Sequence, residues 1–436
     1  MLKLQQNEDV TFYSCNCWDF HMKYKLLLSL FLLSIFSLQP NILAQAPGVF
    51  ADGILFGQSA AFRGSSKALG SELYRGSQAY FDHINSQGGV AGKEIRILPL
   101  DDGYEGDVTL LNTIKLEQKH KVFGLFGYVG TPTIVKALPV IQKFSPGGLF
   151  LFSNFTGAQP QREAPHNQYV FNIRSSYRHE TKGLVDQLIK VGIDRIAVFI
   201  QYDAYGRSGA DGVKRALKAY GKNIVAEATY VRGTKYGSNM KEQVKAMIES
   251  KAQAVISIGS YEACAAFIRD ARLMNFNAPI ANVSFVGSDQ LLNLLKGDEK
   301  KRGKVLTNNL INSQVVPPWA DITIPLVKEY QAMMNRYNPK VPKDLKDSGY
   351  TPSKFSFISL EGYLNAKVLV AVLKKMRGEF TRKKFMQTAR SITKLDVGLS
   401  KKIDLSVTAG ALAKVFFTEI KDGKYSLIEN WKKFRN

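Results

Sequence analysis

The sequence predicts an α/β protein made of two units, each a parallel sheet covered by helices on both faces. Three observations predict this class. Short runs rich in Val, Ile, Leu and Phe alternate with longer segments whose apolar residues have helical spacing. The alternation occurs twice, with a break near residues 172–180. Small polar and aromatic residues follow several of the apolar runs, and open α/β sheets bind their ligands beyond these carboxyl ends.

The first half of the chain contains the clearest helix pattern. Leu69, Leu73, Tyr80 and Ile84 share one face of a helix expected at 66–85, which a pair of glycines ends. The other elements expected in this half are strands at 54–56, 95–100, 122–129 and 149–152 and a helix at 108–120. The second half repeats the pattern, with strands at 195–201 and 254–258, a helix that runs to residue 272 and a long helix at 353–376.

A glycine turn links the apolar run at 122–129 to the next helix pattern. We expect Thr131 to be the N-cap of that helix and Pro132 to occupy its first position. Free amide groups and the positive end of the helix dipole would then form an anion seat above Gly130. The pattern fits both a phosphate cradle and a carboxylate seat, but the short loop lacks the lysine of a P-loop, which favours the carboxylate.

The N-terminal region predicts export. Residues 22–46 combine two early lysines, an apolar core at 26–38 and an Ala-Gln-Ala sequence at 44–46. This order is typical of a cleaved secretory signal peptide, and the apolar core is too short to span a membrane. We therefore expect a periplasmic protein, and both Met1 and Met22 stay open as its initiator.

Composition narrows the functional classes. The formal net charge is +22, but the basic residues are spread along the chain, so we interpret them as solvated surface rather than as a nucleic-acid site. Two of the three cysteines precede Met22, which leaves Cys264 without an internal disulfide partner. We interpret Cys264 as a small apolar residue inside a helix.

Motifs of enzymes are weak in this chain. The glycines at 124–130 do not have dinucleotide-binding spacing, and the sequence contains neither HExxH nor CxxC. Asp101 and Asp102 could be catalytic carboxylates, but such residues also cap loops at strand ends without any partner. We expect no catalytic residue, no metal site and no cofactor.

The groups that remain suit the hydrogen bonding of a small polar ligand. They follow four predicted strands of the two units, and any single one of them could equally be an ordinary turn former. The candidate ligand residues at these strand ends are Thr131, Thr133, Asn154, Thr156, Tyr202, Asp203, Tyr205, Tyr261 and Glu262. Candidate apolar or stacking walls are Phe62, Phe155, Tyr177 and Tyr202.

Several longer stretches resemble the type I periplasmic substrate-binding proteins of ABC importers, in the leucine/isoleucine/valine-binding family. The resemblance covers nearly all of residues 50–436. It is carried by FGQSAAFRG, YFDHINSQGGVAGKEIRI, DDGYEGD, FGYVGTPT, FNIRSSY, RIAVFIQYDAYGRSG and GSYEACAAFIRDAR. The resemblance implies two Rossmann-like lobes joined by three crossing strands and closing on a ligand. It implies an N-terminal lobe of residues 47–177 plus 312–412 and a C-terminal lobe of residues 178–311 plus 413–436.

The resemblance also implies roles for single residues. Thr131 corresponds to the family hydroxyl that holds the α-carboxylate of the ligand. Thr156 corresponds to a threonine that contacts both ends of an amino acid, and the Asn154 carbonyl corresponds to an acceptor for the ammonium group. Tyr261 corresponds to a tyrosine that closes over the ligand from the second lobe.

One position departs from the family pattern. The amino-acid binders of the family place a glutamate in the second lobe to bind the ammonium, and the corresponding residue here is Ser284. Loss of that charge-assisted contact removes about 1.5–3 kcal/mol. Asp203, Glu262 or Glu361 could replace the carboxylate. The sequence thus leaves amino acids, other carboxylates and amides open as ligands.

These observations predict a non-enzymatic solute-binding protein whose partners are a small ligand and the permease and ATPase subunits of an ABC importer. The alternative is a periplasmic sensor subunit that passes lobe closure to a membrane receptor. The third hypothesis is an α/β enzyme that uses Asp101 or Asp102, but the sequence contains no recognisable nucleophile motif or metal site to support it.

Overall fold

The computed structural model describes residues 46–407 and 410–435 of the chain. The predicted signal peptide and the choice between Met1 and Met22 lie outside these residues, apart from the last position of the cleavage site. Among the described residues, no helix has both the length and the hydropathy that a membrane span requires.

The strands form two sheets. Their bounds are β1 Gly53–Ala60, β2 Glu94–Asp101, β3 Gly124–Phe126, β4 Leu151–Phe152, β5 Val170–Phe171, β6 Ile196–Gln201, β7 Glu227–Tyr230, β8 Ala254–Ile258, β9 Ile280–Asn282, β10 Leu310–Gln314, β11 Phe416–Lys421 and β12 Lys424–Leu427. The first sheet has the order β2-β1-β3-β4-β5, and all of its pairs are parallel. The second has the order β12-β11-β10-β9-β8-β6-β7 and becomes antiparallel where β11 joins β10.

Helices separate most of these strands. Their bounds are α1 Lys67–Asn85, α2 Gly106–Gln118, α3 Thr131–Phe144, α4 Tyr177–Lys190, α5 Ala204–Lys218, α6 Lys241–Glu249, α7 Tyr261–Leu273, α8 Ser288–Arg302, α9 Pro325–Tyr337, α10 Phe357–Lys375 and α11 Arg382–Arg390. Long apolar strands such as β8 are buried along their whole length, as expected for parallel sheets with both faces covered. The predicted α/β class with two units is confirmed.

The chain passes between the two sheets three times. It leaves the first sheet after β5, returns after β10 so that α10 packs on α1, and crosses back before β11. Two glycines allow the close approach of α1 and α10: a Cβ at Gly76 would lie 1.8 Å from the Ser359 carbonyl oxygen, and one at Gly362 would lie 2.2 Å from the Leu73 carbonyl oxygen. The residue bounds of the two lobes stay a prediction.

Some predicted elements are wrong in length. The apolar run at 122–129 forms a strand only at Gly124–Phe126, because the chain turns at Gly127 with φ 64° while Tyr128 and Val129 stay buried. The long C-terminal helix begins at Phe357 rather than at 353, since the Ser356 side chain caps it and accepts a hydrogen bond from the Ser359 amide. Apolar runs thus report burial more reliably than strand length.

Candidate functional site

The glycine turn at the carboxyl end of β3 leads into α3, but Thr131 is not the N-cap residue of this helix. Gly130 is the N-cap residue, with φ 104° and ψ 148°, and no side chain caps the helix. The Thr131 hydroxyl lies 2.6 Å from the Thr156 hydroxyl instead. Thr133 donates its hydroxyl to the Gly130 carbonyl at 2.8 Å, within its own turn. The prediction of Thr131 as N-cap is therefore wrong, and the helix amides are left without a side-chain acceptor from this turn.

Hydroxyl groups form a buried chain behind this turn. Thr156 donates to the Tyr177 hydroxyl at 3.4 Å and accepts a hydrogen bond from the Ala158 amide at 3.2 Å. Burial raises the pKa of Tyr177 to about 12, so its hydroxyl stays protonated at neutral pH. The Asn154 side chain donates to Asn172 at 3.0 Å, which holds the loop after β4 in place. Thr131, Thr156 and Tyr177 are thereby brought together.

Aromatic rings from both sheets meet next to this chain. The ring of Phe285 lies 5.2 Å from Phe155, 4.6 Å from Tyr205 and 6.0 Å from Tyr104, measured between centroids. Tyr205 also lies 5.2 Å from Tyr177. Tyr104 and Phe155 follow strands of the first sheet, whereas Tyr205 and Phe285 follow strands of the second. We call these five buried residues the aromatic cluster.

Tyr205 is one of the candidate ligand residues predicted from the sequence, and its buried position follows from where α5 begins. Asp203 is the N-cap of α5 and accepts a hydrogen bond from the Tyr205 amide at 2.8 Å. Aspartate is a preferred cap, and a cap at this position puts Tyr205, Gly209 and Val213 on one helix face at a spacing of four. All three of these residues are buried.

Tyr202 and Asp203 do not join the aromatic cluster. Tyr202 is 72% exposed and borders a shallow surface pocket of about 360 Å³ beside Thr229 and Val231. Asp203 accepts hydrogen bonds from its helix and from the Gln201 side chain at 2.6 Å. Burial raises the pKa of Asp203.

Tyr261 links the lobes, whereas Glu262 does not. Tyr261 begins α7 and is buried, and its hydroxyl lies next to the Ala68 backbone at the start of α1. Phe62 packs in the first lobe against Tyr74, with ring centroids 6.0 Å apart. Glu262 accepts a hydrogen bond from the Tyr236 amide at 3.2 Å within its own lobe.

Ser284 has a carboxylate beside it, which α4 supplies. The Ser284 amide donates to one Glu180 oxygen at 2.8 Å, and its hydroxyl donates to the other at 3.0 Å. The Ser313 hydroxyl also donates to Glu180, at 2.6 Å. The Arg174 Nη2 group donates to the Ser284 hydroxyl oxygen. Glu180 and Arg174 were not predicted from the sequence, because their contacts with Ser284 join segments more than 100 residues apart in the chain.

Arg174 is the centre of this buried ion cluster. Only 1% of its side chain is exposed, and its guanidinium lies 4.5 Å from the centre of the Phe155 ring. It lies 3.8 Å from Glu180 and 3.6 Å from Glu361. Burial raises the pKa of Glu361 to about 7, although the Arg174 charge opposes this shift. Of the three acids that could have replaced the family glutamate, Glu361 is therefore the one that reaches this cluster.

A second buried arginine supports the loop after β4. Arg162 donates to the carbonyls of Thr156 at 3.1 Å, Ala158 at 3.0 Å and Arg174 at 3.2 Å. Burial and, to a smaller extent, the nearby Arg174 charge lower the pKa of Arg162 to about 9. Arg162 thus fixes the backbone that presents Thr156.

An open cavity of about 760 Å³ lies elsewhere, between α1, α9 and the segment 338–354. Arg75, the buried charged residue in its lining, is paired: it donates to both Glu72 oxygens at 2.8 and 3.0 Å, and Tyr350 donates to Glu72 at 2.7 Å. Because these groups satisfy one another, the cluster around Arg174 is the stronger candidate site.

Comparison with known proteins identifies the family of this chain. Residues 53–424 match the family model described as periplasmic binding protein. The chain belongs to the leucine/isoleucine/valine-binding family of type I periplasmic binding proteins. Its family and fold are those of solute-binding proteins, and the family implies a periplasmic location.

Individual relatives agree with this assignment. A possible leucine/isoleucine/valine-binding protein from Rhodopirellula baltica is 31% identical, covers 88% of this chain and 98% of its own, and superposes with a TM-score of 0.77. The Leu/Ile/Val-binding protein BraC3 from Rhizobium johnstonii is 26% identical over 61% of this chain and 70% of its own. A branched-chain amino acid ABC transporter structure from Thermus thermophilus with bound valine is 14% identical, covers 89% of this chain and 100% of its own, has a TM-score of 0.74 and shows the shared fold.

Proposed function

We propose that this protein is the solute-binding component of an ABC-type importer. It binds a small polar ligand, an amino acid or a related carboxylate or amide, and delivers it to membrane permease and ATPase subunits. The observation that carries the proposal is the buried cluster of hydroxyls, rings and charged groups to which segments of both sheets contribute. It reaches the periplasm through a cleaved signal peptide, and it changes no bond of the ligand.

The ligand lies between the two lobes in this proposal. The hydroxyls of Thr131 and Thr156 and the first amides of α3 take an anionic or acceptor group, which a helix N-terminus favours. The Asn154 carbonyl takes a donor, and Tyr177 and Ser284 complete the polar contacts. Closure is favoured because these contacts form only when both lobes meet, and the permease recognises the closed state.

A thermal-shift screen of residues 47–436 tests this function. The panel contains amino acids, their 2-oxo and 2-hydroxy acids, short amides, aromatic acids and polyamines. A ligand at 100 times its dissociation constant stabilises the folded protein by about 2.7 kcal/mol, and small-angle scattering then reports a smaller radius of gyration. Absence of any stabilisation across the whole panel would count against a solute-binding role.

The variant Thr131→Val tests the site itself. It removes the hydroxyl but keeps the side-chain volume, so we expect affinity to fall about tenfold. The control is Thr113→Val, since Thr113 is equally buried and hydrogen-bonds to Thr109 and Tyr128 outside the cluster. Equal affinity losses in the two variants would exclude Thr131 as a ligand contact.

A further inference from the structure

Arg174 is a buried charge whose hydrogen bonds are incomplete. Its Nη2 group donates to Ser284, whereas its Nε and Nη1 groups have no acceptor. Bulk water does not reach these donors, because only 1% of the side chain is exposed. A buried charged donor without a partner is costly, and native proteins normally satisfy such groups. An acceptor group on another molecule would satisfy donors of Arg174 that no described residue satisfies.

The neighbouring acids do not complete it. Glu180 uses its two oxygens to accept from the Ser284 amide and hydroxyl and from Ser313. Glu361 Oε1 lies 3.6 Å from Arg174 Nε, beyond ordinary hydrogen-bond length, and has no donor of its own. Unsatisfied donors of Arg174 and an unsatisfied oxygen of Glu361 therefore share one buried place.

We propose, on the basis of the solute-binding function above, that Arg174 Nη1 binds the carboxylate of the ligand, that Thr131 and the α3 amides take a neutral acceptor group of the same ligand, and that the protein selects organic acids without an α-ammonium group. The Nη1 group has two N–H donors, and a charged donor of this kind makes a strong hydrogen bond to a carboxylate oxygen, whereas the Nε group lies on the side of Glu361. An ammonium group beside Arg174 would meet a positive charge, and the acid that lies next to Ser284, Glu180, already accepts hydrogen bonds from Ser284 and Ser313.

The surrounding rings define the rest of the ligand. Phe155 covers one face of the guanidinium, and Phe285 and Tyr205 continue the apolar wall. Rings at these distances favour an apolar or aromatic body attached to the carboxylate. The substrate class is therefore a monocarboxylic acid with a branched aliphatic or aromatic side group.

Proton uptake accompanies binding in this arrangement. The charged groups that face Glu361 are Arg174, Arg162 and Glu180. A ligand carboxylate on Arg174 adds a negative charge next to Glu361, and this raises the fraction of protonated Glu361. Protonated Glu361 has an O–H that can donate to the ligand. Affinity for acids should therefore fall as the pH rises from 6 to 8.

Calorimetry on the mature chain tests the proposal with named probes. The probes are 4-methyl-2-oxopentanoate and phenylacetate, with leucine, phenylalanine and phenylacetamide for comparison. We expect the acids to bind more tightly than the amine-bearing or amide probes. Arg174→Gln should weaken acid binding about 10- to 100-fold, and Arg174→Lys should weaken it less. Titrations in buffers of different ionisation enthalpy should show proton uptake that Glu361→Gln abolishes.

The control variant is Arg272→Gln. Arg272 is equally buried and its Nε also lacks an acceptor, but its Nη1 and Nη2 groups donate to the Phe276 and Asn308 carbonyls within the second lobe. Equal losses of acid affinity in the Arg174 and Arg272 variants, or tighter binding of amino acids than of their 2-oxo acids, would overturn this inference and leave the solute-binding function intact. Failure of every probe class to bind would overturn both. If Arg174→Gln does not fold, Arg174→Lys and the proton count of the wild type decide the matter.

Discussion

Gly130 should be intolerant of any side chain, and Gly130→Ala is the sharpest test of the turn that begins α3. Its φ of 104° and ψ of 148° lie in a region that is almost restricted to glycine. A Cβ would lie 2.2 Å from Tyr104 Cε2 and 2.8 Å from Thr133 Oγ1. Tyr104 is buried, and Gln201 and Arg232 of the second lobe both contact it. The ring therefore has no free space into which to move.

The magnitude follows from these two effects. An alanine held at these angles costs about 1–3 kcal/mol of backbone strain. Displacement of a packed ring adds about 1–3 kcal/mol. We expect Gly130→Ala to lower the free energy of unfolding by about 2–6 kcal/mol and to weaken ligand binding at least tenfold, because Tyr104 belongs to the aromatic cluster.

Urea unfolding and ligand titration measure both effects. The control is Gly147→Ala, since no atom lies within 4 Å of a Cβ at Gly147 and its φ is not positive. We expect the control to stay within about 0.5 kcal/mol of the wild type. If Gly130→Ala unfolds at the same urea concentration as the control and binds ligand normally, the strain and the contact with Tyr104 are both refuted.

Three further perturbations address charged pairs. Arg232→Gln breaks a 2.7 Å ion pair between the lobes with Glu105, whose side chain is 57% exposed. Small-angle scattering should therefore show a modest shift towards an open form, and the difference from the wild type should disappear at high salt. A salt-independent shift would contradict this. The wild type should lose stability, on the order of 2–3 kcal/mol, as the pH rises from about 4.5 to 8, because the folded protein keeps a proton on Glu361 that the unfolded chain releases. Glu361→Gln should remove this loss. Urea midpoints at pH 5 and 8 that shift equally in both proteins would argue against it. Glu72→Gln leaves the buried Arg75 without its ion-pair partner and should lower the free energy of unfolding in urea by about 3–5 kcal/mol. Glu105→Gln, which breaks an exposed pair, should lower it by less than about 1 kcal/mol. Similar losses in the two variants would disprove the contrast.

Local patterns predicted the architecture well. The helix at 66–85 agrees with α1 to within one residue, and the strand at 254–258 agrees with β8, because apolar periodicity and flanking turn residues are properties of neighbouring positions. Short strands were less predictable. The run at 122–129 shortened to Gly124–Phe126, since residues buried in a loop have the same composition as residues buried in a strand.

The candidate site was only partly predictable. Thr131, Thr156 and Tyr177 do lie together, whereas Tyr202 faces solvent and Tyr205 takes the buried place three residues later. The strand end was visible in the sequence, but the direction of each side chain depends on where α5 begins.

By itself, the sequence determined the α/β class, the doubling into two units, the glycine turn before α3 and the family. Only the tertiary structure decided that Arg174 and Glu180 lie beside Ser284, which follows them in the chain by 110 and 104 residues. Propensity and periodicity act over a few residues, whereas the partners of a buried charge are set by the packing of two sheets against each other. The contacts of the cluster around Arg174 were therefore decided by the packing of segments that are distant in the sequence.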